Sequence, residues 1–151
     1  MKLTTIVLAL MLATSVAHAG QKEIKCLAEN IYYESSGESL AGKLAVAKVT
    51  LNRAEHPNYP NTICEVVYQK HQFSWTRNKA LRAKPKDSAV WREAINIATD
   101  AYYSGLEELD HFKAISFHNL TVKPKWNLKR VAKIGNHVFY RDKDAKLQRN
   151  R

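Results

Sequence analysis

Residues 32–39 read Tyr-Tyr-Glu-Ser-Ser-Gly-Glu-Ser, two carboxylates close together among hydroxyl-bearing side chains, with a glycine between them. Carboxyl groups are common general acids and bases of catalytic sites. Their use depends on where each one points. In residues 21–35, Ile24, Leu27, Ala28 and Ile31 fall at the i, i+3, i+4, i+7 spacing of one buried helical stripe. At about 100° per residue, Glu34 returns to within roughly 20° of Leu27. Glu34 therefore lies on the apolar stripe, whereas Glu23 and Glu29 point to water, and Gly37 is the expected helix stop. A carboxyl on that stripe, beside Tyr32 and Tyr33, has its ionised form disfavoured by desolvation. A raised pKa is what a general acid needs at neutral pH. The alternative is a carboxylate that only accepts hydrogen bonds from backbone at the helix end, and periodicity does not choose between the two. Glu38 is the possible second carboxylate. Gly37 interrupts the face it would share with Glu34, so it is more naturally placed at the start of the next helix, where the dipole favours negative charge.

Other residue types suggest what such an acid would act on. Aromatic and hydrogen-bonding side chains alternate in His71-Gln72-Phe73-Ser74-Trp75, in Phe117-His118-Asn119 and around Trp126. Sugar rings present C–H faces with hydroxyls at their rims, so a surface lined this way suits a polysaccharide; Phe73 and Trp75 are equally at home in a core. Histidines 71, 111, 118 and 137 show neither HExxH nor another close ligand pair, which argues against a metal site. No cofactor motif is present.

The elements that must position these residues read as three or four helices followed by a small β region: an α+β fold, mostly helical. Residues 40–54 place Leu40, Leu44, Ala47 and Leu51 on one face and Gly42, Ala45, Val46 and Val49 on another. A helix apolar around most of its circumference belongs in the centre. Residues 56–61 are a loop, Thr62 to Glu65 match a capping box that opens a short helix, and residues 70–75 read as extended or loop. Asp87 or Ser88 starts a helix that ends at Gly105. Residues 112–118 and 130–134 read as strands, and Gly135-Asn136 makes a two-residue hairpin turn into residues 137–140.

With 151 residues the chain supports one small domain. Residues 1–19 read as a signal peptide, with Lys2, an apolar run from Ile6 to Leu12 and Ala17-His18-Ala19 before the expected cut. The run is shorter than the roughly 20 residues that a membrane span needs. The mature domain, residues 20–151, is expected in the periplasm or secreted, without stable membrane insertion and as a monomer. In an oxidising compartment Cys26 and Cys64, the only two cysteines, are expected to form one disulfide rather than two buried thiols. A net charge of +10 and a pI near 9.7 favour anionic polymers. Much of that charge sits in residues 77–86 and in the tail from Arg141.

Residues 26–53, 59–75 and 134–141 together resemble the SleB/CwlJ-type cell-wall hydrolases, named for spore-cortex-lytic enzymes; the shared features are the acidic helix end, Leu51-Asn52-Arg53, Gln72-Phe73-Ser74-Trp75 and Ile134-Gly135-Asn136-His137. The resemblance implies a lysozyme-like fold and cleavage of the β-1,4 bond between N-acetylmuramic acid and N-acetylglucosamine in peptidoglycan glycan strands. It makes Glu34 the catalytic acid. Several members are lytic transglycosylases, which need one carboxyl because the muramic acid C6 hydroxyl replaces water as nucleophile. Gln72, Ser74, His118, Trp126 and Tyr140 are the expected substrate-binding residues. Two departures stand out. Ser35-Ser36 replaces the alanine and arginine common after the acid, and resembles the glutamate-serine pair of other transglycosylases. Phe117 stands where a tyrosine is common before His118, which leaves Tyr140 or Ser74 to supply the orienting hydroxyl.

The leading expectation is thus a muramidase of the lytic transglycosylase type. Its rivals are a hydrolytic glycosidase using Glu38, a zinc amidase, and a non-catalytic peptidoglycan-binding accessory protein. Nucleic acid is not an expected partner, since export and the absence of a matching motif outweigh charge.

Overall fold

The computed structural model describes residues 2–84 and 86–143, with side chains from His18 onward; residues 144–151 of the basic tail lie outside the described residues. Helix α1 spans Lys2–Ser35 and continues through residues 21–35 as their periodicity predicts. The helix stops at Ser35, whose hydroxyl donates to the Ile31 carbonyl (2.8 Å). Gly37 is not the left-handed cap expected of it, since only Gly105 and Gly135 among the glycines have positive φ. Ser39 caps α2 (Leu40–Ala54) by accepting from the Gly42 amide.

The two apolar faces of α2 pack against different layers. Ala47, with Leu44 and Leu51, joins Leu27, Ala28 and Ile31 of α1, Ile63 and Val67 of α3 (Ile63–Tyr68), and Ala94, Ile97, Ala98 and Ala101 of α5 (Ser88–Ser104). Ala45, Val46 and Val49 face Phe112, Ala114 and Phe139 below the sheet. Leu40, assigned to the first face by spacing, is 58 % exposed because it opens the helix beyond its neighbours. Two lysines buried on α2 find partners: Lys43 pairs with Glu93 (2.7 Å), and Lys48 donates to the Gly105 carbonyl and to Asp110 (2.7 Å each). The second of these places a cation at the C-terminal end of α5, where the helix dipole favours it.

Thr62 opens α3 as expected by accepting from the Glu65 amide, but its hydroxyl also donates to the Glu65 carboxylate, so only half of the capping box forms. Residues 74–77 form a 3-10 turn, and Asn78 caps a short α4 (Lys79–Ala83) inside the basic run that pattern alone left unassigned. Asp87 caps α5 through the Ala89 and Val90 amides.

Three antiparallel strands, β1 (Ser116–Asn119), β2 (Lys129–Ile134) and β3 (His137–Arg141), pair in the order β1-β3-β2. The predicted first strand began at Phe112. Three carbonyls of residues 112–115 are instead given to α2: Asn52 donates to Phe112 and Ala114 (2.7 and 2.8 Å), and Arg53 Nε donates to Ile115 (2.6 Å). The end of the central helix thereby fixes the entry to the sheet.

Cys26 of α1 and Cys64 of α3 are bonded, as expected. Cross-linking segments 38 positions apart stabilises by about 4 kcal/mol in the chain-entropy account. Reduction, or Cys26→Ser with Cys64→Ser, is expected to lower the melting temperature by on the order of 10 °C in a calorimetric scan; an unchanged transition would contradict a stabilising role for this link.

Candidate active site

The last turns of α1 are held by a buried polar network. Asn30, fully buried, donates to Thr50 Oγ1 (3.1 Å) and accepts from Trp75 Nε1 (3.1 Å), and Trp75 stacks on Tyr33 at 4.6 Å. One turn beyond Asn30 on the same face is Glu34. It is partly buried, and burial pushes its pKa up to about 7, against the opposing charge of Arg53. At neutral pH a large fraction of this carboxyl therefore carries a proton to give.

The cation that opposes this shift is engaged elsewhere. Arg53 is buried with its guanidinium carbon 5.2 Å from the ring centroids of both Tyr59 and Phe73, while Nε is committed to the Ile115 carbonyl. Its Nη1 is buried and has no hydrogen-bond partner among the described residues. Arg53 enters the sequence reading only within Leu51-Asn52-Arg53. The signal that could have found it is a guanidinium on a helix that is otherwise apolar nearly all round.

Glu38 has the opposite character. Its Oε2 accepts from the Asn136 backbone amide (3.1 Å) and its Oε1 from the Asn136 side-chain amide (3.0 Å). These bonds, the backbone one foremost, hold its pKa below the usual carboxylate value. Glu38 thus precedes the Ser39 cap and faces the β2–β3 turn instead of acting within the first turn of α2.

The sheet gathers three predicted substrate-binding residues. His118 and Tyr140 stack at 5.4 Å, and Trp126 sits edge-on to both rings at 5.7 Å. His118 Nδ1 lies 2.8 Å from the Asn119 carbonyl, which can only accept, so in the neutral ring Nε2 is the acceptor of the Tyr140 hydroxyl at 3.0 Å. Trp126 is 44 % exposed. Gln72 and Ser74 are exposed on the segment after α3, flanking buried Phe73, which packs on Phe117 at 6.3 Å. Phe117 packs against His137 and Phe139, filling space below the sheet. Contacts therefore run from Arg53 through Phe73 and Phe117 to the strand that carries His118. Ser35 is buried with its hydroxyl on Ile31, and Ser36 is exposed. No group of three or more metal-ligating side chains occurs among the described residues.

The Cell Wall Hydrolase family model matches residues 37–140. The chain belongs to the cell wall hydrolase family. The match begins just after Glu34 and includes Glu38, Arg53 and the sheet up to Tyr140. Spore cortex-lytic enzymes of Bacillus subtilis and Bacillus cereus are similar to this chain, 28 % identical over 117 residues and 29 % over 119, covering 78 % and 79 % of it. The aligned regions are 37 % and 44 % of those proteins, so the chain spans less than half the length of these curated relatives. The catalytic domain of the germination-specific lytic transglycosylase SleB from Bacillus anthracis superposes with a TM-score of 0.64 at 27 % identity, covering 80 % of this chain and 95 % of that one. The catalytic domain of the Bacillus cereus SleB protein gives 0.63 at 25 %, covering 80 % and 91 %. The fold of this cell wall hydrolase family member is accordingly the mostly helical, lysozyme-like α+β domain expected from its sequence.

The raised pKa has a consequence for stability. A carboxyl shifted upward in the folded state contributes stability that is full below its unfolded pKa and is lost as pH rises through about 7. Glu34→Gln, which removes the titration, is expected to match the unmodified protein in denaturant unfolding near pH 4.5. At pH 8 it should be the more stable by on the order of 1–2 kcal/mol, a figure reduced because the carboxyl is partly exposed. An identical stability difference at both pH values would contradict the shift.

Proposed function

We propose that this chain is a peptidoglycan-cleaving muramidase of the lytic transglycosylase type, acting on the β-1,4 bond between N-acetylmuramic acid and N-acetylglucosamine. The observation that carries the reading is Glu34, a carboxyl desolvated at a helix end to a pKa of about 7. The likeness to lytic transglycosylase catalytic domains supports the substrate class.

The protonated Glu34 donates to the glycosidic oxygen as the bond from that oxygen to muramic acid C1 breaks, leaving positive charge on the sugar ring. The resulting carboxylate, steadied by Arg53, then takes the proton of the C6 hydroxyl as O6 bonds to C1. The proton returns to Glu34 and the product is a 1,6-anhydro end. One carboxyl serves both steps, and no water is consumed. His118, Trp126 and Tyr140 offer the glycan an exposed aromatic edge beside hydroxyl and imidazole groups, and Gln72 and Ser74 add hydrogen-bonding groups nearby in sequence to Phe73.

The reading includes export. No helix among the described residues is long and apolar enough to cross a membrane. His18 and Ala19 are exposed, whereas Gly20 is buried where an added Cβ would meet the Tyr102 ring. A cut after Ala19 leaves a chain whose first residue is already packed on α5, and the mature monomer works in the periplasm or outside the cell.

Mass spectrometry of muropeptides released from purified peptidoglycan tests the reaction, using exported protein whose intact mass also reports whether the chain begins at Gly20. The expected products are one water lighter than hydrolytic fragments and disappear with folded Glu34→Gln. Ordinary reducing ends would replace transglycosylation by hydrolysis, and no products from the folded, unmodified protein would replace catalysis by binding.

A further inference from the structure

The Glu38 contacts join residues 98 positions apart in sequence, and the surrounding sequence is shaped to admit them. Gly135 has φ +54, and a Cβ there would overlap the Glu38 carboxylate itself. On the other side, a Cβ at Gly42 would stand 2.9 Å from Glu38 Cβ, closer than real Cβ atoms come. Two of the five glycines thus border one carboxylate, one on α2 and one in the β2–β3 turn. The turn's other half is fixed too, because the Asn136 carbonyl accepts from the Leu120 amide at the end of β1 (2.9 Å).

What this joint connects is functional. On its near side, the Glu38 amide donates to Ser35 at the end of α1 (2.9 Å), next to Glu34. On its far side, β3 leads from Asn136 to Tyr140, and the β1–β3 register pairs His118 with Val138 and Ser116 with Tyr140, so that the Tyr140 hydroxyl reaches His118 diagonally across the two strands. We infer that Glu38 is a positioning residue: by holding Asn136 with both oxygens it sets the distance between the proton of Glu34 and the His118–Tyr140–Trp126 surface that holds the glycan. With each oxygen bonded to Asn136, the position of Glu38 is set by the β2–β3 turn. This inference rests on the transglycosylase reading for its catalytic consequence, but the joint itself is open to a separate measurement.

The test combines kinetics on soluble glycan strands with amide NMR of Glu38→Gln, Glu38→Ala, Asn136→Ala and the double variant Glu38→Ala/Asn136→Ala. Small misplacements of an acid relative to bound substrate cost one to two orders of magnitude in rate. Glu38→Ala is therefore expected to lose about tenfold or more in kcat/KM. Glu38→Gln, which keeps an acceptor for the Asn136 amide, should recover most of that loss. Products should stay anhydro and the alkaline limb of the pH profile should stay where Glu34 puts it. The double variant should lose less than the product of the single losses, as expected for two groups acting through one contact. In the spectra, the Asn136 amide should move with pH as Glu38 titrates, and the Tyr140 and His118 amides should shift in Glu38→Ala. A folded Glu38→Gln as inactive as Glu34→Gln, or single losses that multiply in full, would overturn the inference by making Glu38 a participant in the chemistry. If the unmodified protein cleaves nothing, the transglycosylase reading fails by itself. The spectra then decide the joint: an Asn136 amide indifferent to Glu38 would overturn it.

Discussion

A carboxyl keeps its proton at neutrality only if water is excluded and the nearest cation is prevented from pairing with it closely. At Glu34 the first comes from burial and the second from how Arg53 is held. A free guanidinium beside a carboxyl would form a bidentate pair and pull its pKa down. Here the guanidinium lies between the Tyr59 and Phe73 rings with Nε given to the Ile115 carbonyl. Desolvation outweighs the remaining attraction, and Glu34 rises to about 7. The same charge favours the carboxylate once the proton has left. Arg53 can serve the acid and its conjugate base in turn because its position is set by the backbone at Ile115 and by two aromatic faces.

That arrangement depends on α2, the one helix with an apolar face toward each core. Ala47 packs toward α1 and α5 while Val46 and Val49 pack toward the sheet, so α2 fixes the relation between the two layers. In its last turn, Asn52 and Arg53 take the carbonyls of Phe112, Ala114 and Ile115. Glu38 ties the two layers at the other end of the same helix. Acid and aromatic surface thus belong to different layers, joined at both ends of one central element.

Much of this was legible in the residues. Glu34 follows from helical periodicity because an acid on an apolar stripe stands out, and the two faces of α2 follow from its lack of a polar side. The Gly135-Asn136 turn and the Asp87 cap follow from local rules that need no tertiary partner. What was not legible is whatever depends on contacts distant in sequence. Residues 112–115 have strand composition, yet three of their carbonyls are claimed by α2. The helix ends at Ser35 as its periodicity predicts, yet Gly37 is not in the left-handed conformation of a glycine cap. Glu38 looks like a favourable charge at a helix start, and only the fold reveals that Asn136 comes to meet it. The role of Arg53 was hidden for the same reason, since its partners lie on three separate segments.

The fold shifts the pKa values of two neighbouring carboxyls in opposite directions, so that at neutral pH a large fraction of Glu34 keeps its proton while Glu38 is ionised. Carbon-13 NMR titration of the side-chain carboxyls of folded protein, assigned with Glu34→Gln and Glu38→Gln, measures this most directly. The account predicts a midpoint near 7 for Glu34 and one below the ordinary value of 4.5 for Glu38. Midpoints at or below 4.5 for both would contradict it, because a Glu34 already ionised at neutral pH has no proton to give.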